Sequence, residues 1–420
     1  MESRLVRSVS ATTDVLVVGG GIAGLATALG LSKASASVTV VEQEPDFHEV
    51  GAGLELAPNG TRVLAEWGLL DKMTEMGVRP RSLVIKDATD GTELTRQNLT
   101  GEFATRYGGP YLVAHRSDLL SILLRAVRSA GVRLITNERI ERVETHDQTA
   151  LATATSGNTY EARLVIAADG LSSTLRAALS DDAPIASGFV AYRGTCRMSE
   201  VQLEADLDNV VAFIGPGCHF VQYPIRKDLD HHGQLLNQVA VFQSPAFLRG
   251  EPEWGTPDEL DEAFSGCAEP IRSALQYVPR DRHWLMYDRE PIDNWVDGRL
   301  LLLGDAAHPM LQYLAQGACQ SLEDARALQA AVTRHVFDRS DDTGDRWRDA
   351  AEAFNRERAS HTARVQRTAR VWGESWHVDG IARVLRNMVF SGRDTSDYRY
   401  TDWLYAHDIS KDLDATTIHS

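Results

Sequence analysis

One stretch limits what this chain can fold into more than any other: Asp14-Val15-Leu16-Val17-Val18-Gly19-Gly20-Gly21-Ile22-Ala23-Gly24. Asp14–Val18 reads as a buried strand, Gly19–Gly24 as a turn, Leu25–Ser35 as a helix and Val38–Glu42 as a second strand. That order makes a βαβ unit, which demands a parallel sheet covered by helices. Gly19 permits the tight turn, Gly21 lets backbone approach a pyrophosphate, and Gly24 lets helix and strand pack closely. The helix start offers N–H donors and a positive dipole end to phosphate, with Ile22 and Ala23 in the turn that leads into it. Glu42 ends the second strand, with Gln43 beside it, where an acid can hold ribose hydroxyls. The alternative is a glycine-rich turn with no ligand. The combined strands, spacing and acid favour dinucleotide binding.

Val15 to Leu31 carries no charge and could pass for a short membrane span. Its length of about 17 residues falls short of a typical span, and glycine interrupts it. With 420 residues, 43% hydrophobic and 24% charged, the composition is that of an ordinary globular protein of about two or three domains. A net charge of -16 argues against a nucleic-acid partner, which would require a basic face. Cys196, Cys218, Cys267 and Cys319 lack CxxC spacing, so neither a metal site nor a disulfide framework is expected, and a cytoplasmic location fits.

Residues 1–12 read as a disordered lead-in. Arg116–Ala130 reads as a helix started by Ser117-Asp118, and Val132–Ile135 as a strand. Ile140–Ala154 and Asn158–Leu164 suggest a hairpin ribbon, and Leu164–Ala168 another buried strand. Gly188–Arg193, Val210–Ile214, His219–Ile225 and Gln238–Phe242 suggest an antiparallel sheet with an Asp-rich turn at 228–234. Leu300–Leu303 resumes the buried-strand pattern, and 345–376 is helical. The expected fold is α/β: a Rossmann-like domain with a parallel sheet (1–75, 112–184 and 288–335), interrupted by a largely antiparallel substrate domain (76–111 and 185–287). A helical C-terminal region (336–420) follows, packing on the first domain.

Two further motifs follow buried strands. Asp169-Gly170-Leu171-Ser172-Ser173-Thr174-Leu175-Arg176 resembles the DGxxSxxR pattern of flavoprotein aromatic hydroxylases. Gly304-Asp305-Ala306-Ala307-His308-Pro309, continuing to Gln316-Gly317-Ala318, resembles their GDAAH motif. With the first motif, in this order and across most of the chain, they resemble single-component FAD-dependent aromatic monooxygenases of the 4-hydroxybenzoate hydroxylase superfamily. The resemblance implies FAD held by the first turn and by Asp169 and Asp305, with Arg116 in contact and Gly53 and Leu54 close to the flavin ring. The helix beginning near Gln316, Gly317 and Ala318 would aim its amides at the flavin pyrimidine, favouring reduction. Glu55 departs from the Gln common in relatives, and His308 reads as part of the turn.

Within the superfamily, Tyr192-Arg193-Gly194-Thr195, His219–Pro224, Asp288-Arg289-Glu290-Pro291 with Trp295, and Asp402-Trp403-Leu404-Tyr405 resemble the salicylate hydroxylase and 3-hydroxybenzoate 6-hydroxylase branch. Gln312, His219 and Tyr223 resemble the latter in particular, and Tyr111 completes the pocket by position. On a strand, His219, Val221 and Tyr223 share one face. The resemblance implies that His219 takes a phenol proton, Tyr223 holds that oxygen, and Gln312 and Tyr111 orient the ring. It implies NADH or NADPH as co-substrate, O2 activated as a flavin C4a-hydroperoxide, and 3-hydroxybenzoate converted to gentisate. Open alternatives are salicylate giving catechol, another phenol or masked aryl carboxylate (no cation stands out as a clamp, Arg193 aside), and a flavin-binding sensor. A homodimer is expected only because relatives often form one, and a membrane-bound flavin enzyme is disfavoured.

Overall fold

A computed structural model describes residues 11–48, 52–201, 205–226, 234–339 and 344–411. Apolar runs such as 15–18, Val38–Val41 and 164–167 are buried on both faces. They belong to one sheet in which Ala11–Val18, Val38–Val41, Arg133–Ile135, Thr159–Ala167 and Leu300–Leu302 lie parallel, with Arg133–Ile135 at a less buried edge. Ala11–Val18 is central, with Val15 opposite both Leu164 and Val38. Helix Ile22–Lys33 covers the sheet and packs against helices Arg116–Ser129 and Gly317–Val332.

Several expected boundaries shift for local physical reasons. The first helix begins at Ile22, with Gly21 as its N-cap, so Gly24 lies inside the helix and not in a turn. The lead-in is shorter than expected, because Ala11 and Thr12 pair with Tyr160 and Glu161; residues 1–10 lie outside the described residues. The helix Arg116–Ser129 is capped by His115, whose Nδ1 accepts the Ser117 amide, and not by the Ser117-Asp118 pair. The two expected strands on either side of Leu164 are one strand, Thr159–Ala167. Its first half pairs antiparallel with Ala150–Ala154, which pairs in turn with Ile140–Thr145. The expected turn at 228–234 falls almost wholly outside the described residues.

The second sheet has the strand order Trp284–Asp288, Ile185–Arg197, Leu235–Gln243, Cys218–Arg226, Val210–Gly215, Ser82–Asp87, Glu93–Asn98. Every pairing is antiparallel except that of Ser82–Asp87 with Val210–Gly215. Alternation gives it two unlike faces. Val84, Val211, Phe213, Phe220 and Phe242 pack against Leu260, Phe264 and Ile271 from two covering helices. On the other face, Ile85, Ala212, Ile214 and Val241 meet Tyr313, Trp376 and Phe390. Trp376 and Phe390 belong to helices Arg346–Trp376 and Gly380–Ser391, so the C-terminal region closes this sheet as well as packing on the parallel one.

Helix Arg346–Trp376 is tied to helix Gly317–Val332 by a fully buried ion network. Arg358 Nε donates to Asp324 Oδ1 at 2.8 Å, and its Nη1 lies 3.1 Å from Glu323 Oε2. Burial opposes both carboxylates; Arg358 and the facing histidines outweigh it and hold each at about 2. Removing the guanidinium strands two charges away from water. Arg358→Met is expected to lower stability by about 3–5 kcal/mol, read as a drop in Tm. Because both carboxyls titrate below their ordinary values, their contribution is complete above pH ~5 and is lost as pH falls towards 2. The wild-type Tm should therefore fall steeply over that window, and the fall should be shallower in Arg358→Met.

Candidate active site

A cavity of about 1040 Å³ runs from the ends of the parallel strands to the antiparallel sheet. At one end it is bordered by Gly19, Gly21, Ile22 and Ala23, and by Glu42 and Gln43. Asp169 and Asp305 each follow a parallel strand and reach the same cavity, as does Arg116 at the start of its helix. Gly53 and Leu54 border its middle, facing Gln316, Gly317 and Ala318 at the opening of helix Gly317–Val332. Of the expected cofactor residues only Gly24 is set back. A Cβ there would lie 1.9 Å from the Gly19 carbonyl oxygen, so its role is the close approach of helix and strand.

The donor set suits FAD. Gly19 has a φ of 111°, and a Cβ on it would sit 2.3 Å from the Ala168 oxygen. Helix Ile22–Lys33 has no side-chain cap, so its first amides are open to an anion. Glu42 accepts the amides of Gly20 at 2.5 Å and Glu44 at 2.9 Å, which fixes its carboxylate with lone pairs to spare for hydroxyls. Among the described residues, Asp169 Oδ1 is buried with no hydrogen-bond partner, and burial pushes its carboxyl up. Gln316 Nε2 is likewise buried and unpartnered, while its Oε1 accepts from Asn59. Buried polar atoms left open in this way signal a missing polar ligand. Arg176 does not border the cavity. It ties the second motif to the third, its Nη1 donating to the oxygens of Ala306 at 2.9 Å and Ala307 at 2.8 Å.

At the other end, His219, Val221 and Tyr223 all face the cavity from the strand Cys218–Arg226. The register extends that wall across the sheet: Thr95, Ile85, Ala212, Val221, Val239 and Arg193 are successive neighbours on six strands. Arg193, expected as the last residue of its strand, lies inside the longer strand Ile185–Arg197, and its guanidinium stacks 4.4 Å above the Trp284 ring. His219 Nδ1 is 2.8 Å from His377 Nε2, and its ring meets Trp376 edge-on. Burial, and secondarily His377, holds its pKa well below the ordinary histidine value. Tyr223 is drawn the other way, towards Gly53 and Asn237. Four residues of extended strand span about 13 Å, so His219 and Tyr223 leave the same wall well apart, with Tyr223 nearer Gly53.

Gln312 opens into the cavity between buried Leu311 and Tyr313. Tyr111 borders it too and donates its hydroxyl to Glu55 Oε2. Burial raises the Glu55 carboxyl against that hydrogen bond, leaving an acid within the pocket wall. The sequence reading passed over His377, Glu55 as a polar group of the wall, and Arg393, which arrives beside the cavity from the C-terminal segment with its guanidinium 4.7 Å from the Tyr400 ring. His377 and Arg393 lie outside any strand, and Glu55 sits on the short strand Gly53–Leu56. His308 lies outside the cavity, its Nε2 2.6 Å from Asp324, in the turn role expected of it. Among the described residues, Glu323, His361 and His407 stand within metal-ligand reach of one another, but Arg358 already places a cation at Glu323.

The tight contact at Gly19 yields a direct test. Gly19→Ala adds a methyl against the Ala168 carbonyl at a backbone angle that L-residues resist. The variant is expected to purify with less flavin and to bind added FAD at least ~10-fold more weakly, measured by quenching of flavin fluorescence.

Comparison with known proteins agrees with this geometry. Residues 12–368 match a family described as FAD binding domain. The chain is 34% identical over 409 residues to a 3-hydroxybenzoate 6-hydroxylase of Polaromonas naphthalenivorans (strain CJ2), covering 96% of this chain and 98% of that one. It is 34% identical over 392 residues to a 3-amino-4-hydroxybenzoate 2-monooxygenase of Streptomyces cremeus, covering 93% and 94%. A salicylate hydroxylase substrate complex shares the fold, with a TM-score of 0.78, 24% identity, and 96% and 97% of the chains covered. A dinucleotide cradle at one end of the cavity, a sheet wall at the other and matches along nearly the whole chain place this protein in the FAD-binding-domain family, among the FAD-dependent aromatic-ring monooxygenases.

Proposed function

We propose that this protein hydroxylates a phenolic aromatic acid, with 3-hydroxybenzoate as substrate, gentisate as product, and NADH or NADPH and O2 consumed. The observation that carries the reading is a neutral imidazole, His219, on the cavity wall across from the flavin cradle. The relatives named 3-hydroxybenzoate 6-hydroxylase, matched over nearly their whole length, support the choice of substrate. Bound FAD, reduced by the nicotinamide, supplies the activation of O2 for insertion of one oxygen atom into the ring.

The chain's own residues prepare the substrate. An electrophilic oxygen needs an electron-rich ring, and removing the phenol proton makes one. His219 stays neutral because burial disfavours its charged form, so it presents a lone pair to that proton. Val221, Val239, Ala212 and Ile85 make the adjoining wall apolar, which excludes water. Tyr223 is assigned to the substrate's far end, since strand spacing separates it from the oxygen that His219 serves. Gln312 faces the ring between these ends. Hydroxylation para to the phenolate of 3-hydroxybenzoate gives 2,5-dihydroxybenzoate.

The Glu55–Tyr111 pair favours a second reading. A buried acid beside the pocket disfavours a free carboxylate there and suits a neutral end, such as an amide or thioester. Rates with 3-hydroxybenzoate, 3-hydroxybenzamide and salicylate, with chromatography of the products, separate these readings. Gentisate from the first supports the proposal, and catechol from salicylate as the preferred reaction overturns it. His219→Phe is expected to keep FAD and lose about 10²–10⁴-fold in hydroxylation rate; unchanged turnover removes His219 from the reaction. A base whose pKa is already depressed stays deprotonated as pH falls, so wild-type turnover should show no acid limb near pH 6.5 from His219.

A further inference from the structure

Among the described residues, no carboxylate backs His219. Its Nδ1 meets His377 Nε2 at 2.8 Å, the two rings stacking with centroids 5.0 Å apart. His377 follows helix Arg346–Trp376, is half-buried and does not border the cavity. Its carbonyl accepts the Gly217 amide and its ring stacks 4.3 Å from that of Phe189, which fixes it against the sheet. The two imidazoles therefore form a short row that runs from buried His219 on the cavity wall to the partly exposed His377.

We propose that His377 is a positioning residue that completes a two-imidazole wire, carrying the phenol proton from His219 outward to solvent. The inference rests on the reading of His219 as the phenol's base. In the ordinary arrangement a carboxylate behind the base stabilises the imidazolium and keeps the proton in place. An imidazole behind it instead passes the proton on. The phenol O–H bond breaks as an Nε2–H bond forms on His219. The Nδ1–H bond of His219 breaks as an Nε2–H bond forms on His377, and the Nδ1 proton of His377 leaves to water. Each ring ends neutral, so no charge stays in the wall. The groups facing the pair oppose a lasting imidazolium. Arg386, from helix Gly380–Ser391, lowers the His377 pKa, which burial brings to about 3. Asp87, behind Arg386, is engaged by Arg383 and Asn387, and Tyr313 touches both rings only through its aromatic face or edge.

The test is proton release on binding, with the FAD-loaded enzyme mixed anaerobically with 3-hydroxybenzoate so that no turnover intervenes. Stopped-flow absorbance follows the phenolate band, and a pH indicator follows the released proton. Wild type should form phenolate and release one proton; His219→Phe should do neither. His377→Phe keeps a ring against Phe189, so it should bind the ligand within about twofold of wild type while both signals slow at least tenfold. His377→Gln serves where His377→Phe does not retain flavin, because an amide fills the space yet cannot hand a proton through. Ionisation at the wild-type rate in either His377 variant overturns the wire while leaving His219 as base. Slowing that merely tracks lost ligand affinity also overturns it. Identical signals from wild type and His219→Phe overturn the underlying reading itself.

Discussion

The structure depends on a backbone contact without side chains. Helix Ile22–Lys33 meets the end of strand Ala11–Val18 where Gly24 approaches the Gly19 carbonyl more closely than any Cβ allows. That approach brings open helix amides to the end of the sheet, at a point where donors outnumber acceptors, and so makes an anion site. The remaining motifs serve it. Arg176 and Arg289 both engage Asp182, Arg176 also holds the Asp305 turn through Ala306 and Ala307, and Arg289 reaches Leu171. Two guanidiniums thus tie together the segments that follow strands Thr159–Ala167 and Leu300–Leu302, behind the cavity residues Asp169 and Asp305.

The second sheet solves a different problem. It must keep one face dry and packed while the other lines a pocket. Alternation does this within single strands: Phe220 points into an aromatic core, and its neighbours His219 and Val221 face the cavity. Burial holds three titratable groups at the cavity away from their charged forms: His219 down, and Tyr223 and Tyr111 up. Neutral groups at the catalytic wall suit the proposed chemistry, in which a phenol loses a proton beside apolar residues, while the guanidiniums of Arg193 and Arg393 border the same cavity. That neutral wall also makes the way out for that proton a matter of neighbouring side chains and not of solvent.

Much of this was legible beforehand. The parallel strands are apolar runs, and each of three ends in glycine or acid, a pattern that burial and phosphate binding impose locally. Boundaries slipped where a neighbour decided them. Ala11 joins its strand because Tyr160 extends beside it, and Thr159–Ala167 is one strand because two different partners share it. Glu55 was visible as a departure from Gln, but not as the acceptor of Tyr111.

By itself the sequence determined the cradle, the sheet alternation that sets His219 and Tyr223 on one face, and the order of the three motifs, because each is a matter of residues a few positions apart. Only the tertiary structure decided what stands behind those residues. His377 is 158 positions from His219, Arg358 lies 34 from Asp324, and Glu55 lies 56 from Tyr111. Such contacts leave no periodic trace in the chain, because they are made where separate helices and strands close on one another and buried polar groups must find partners.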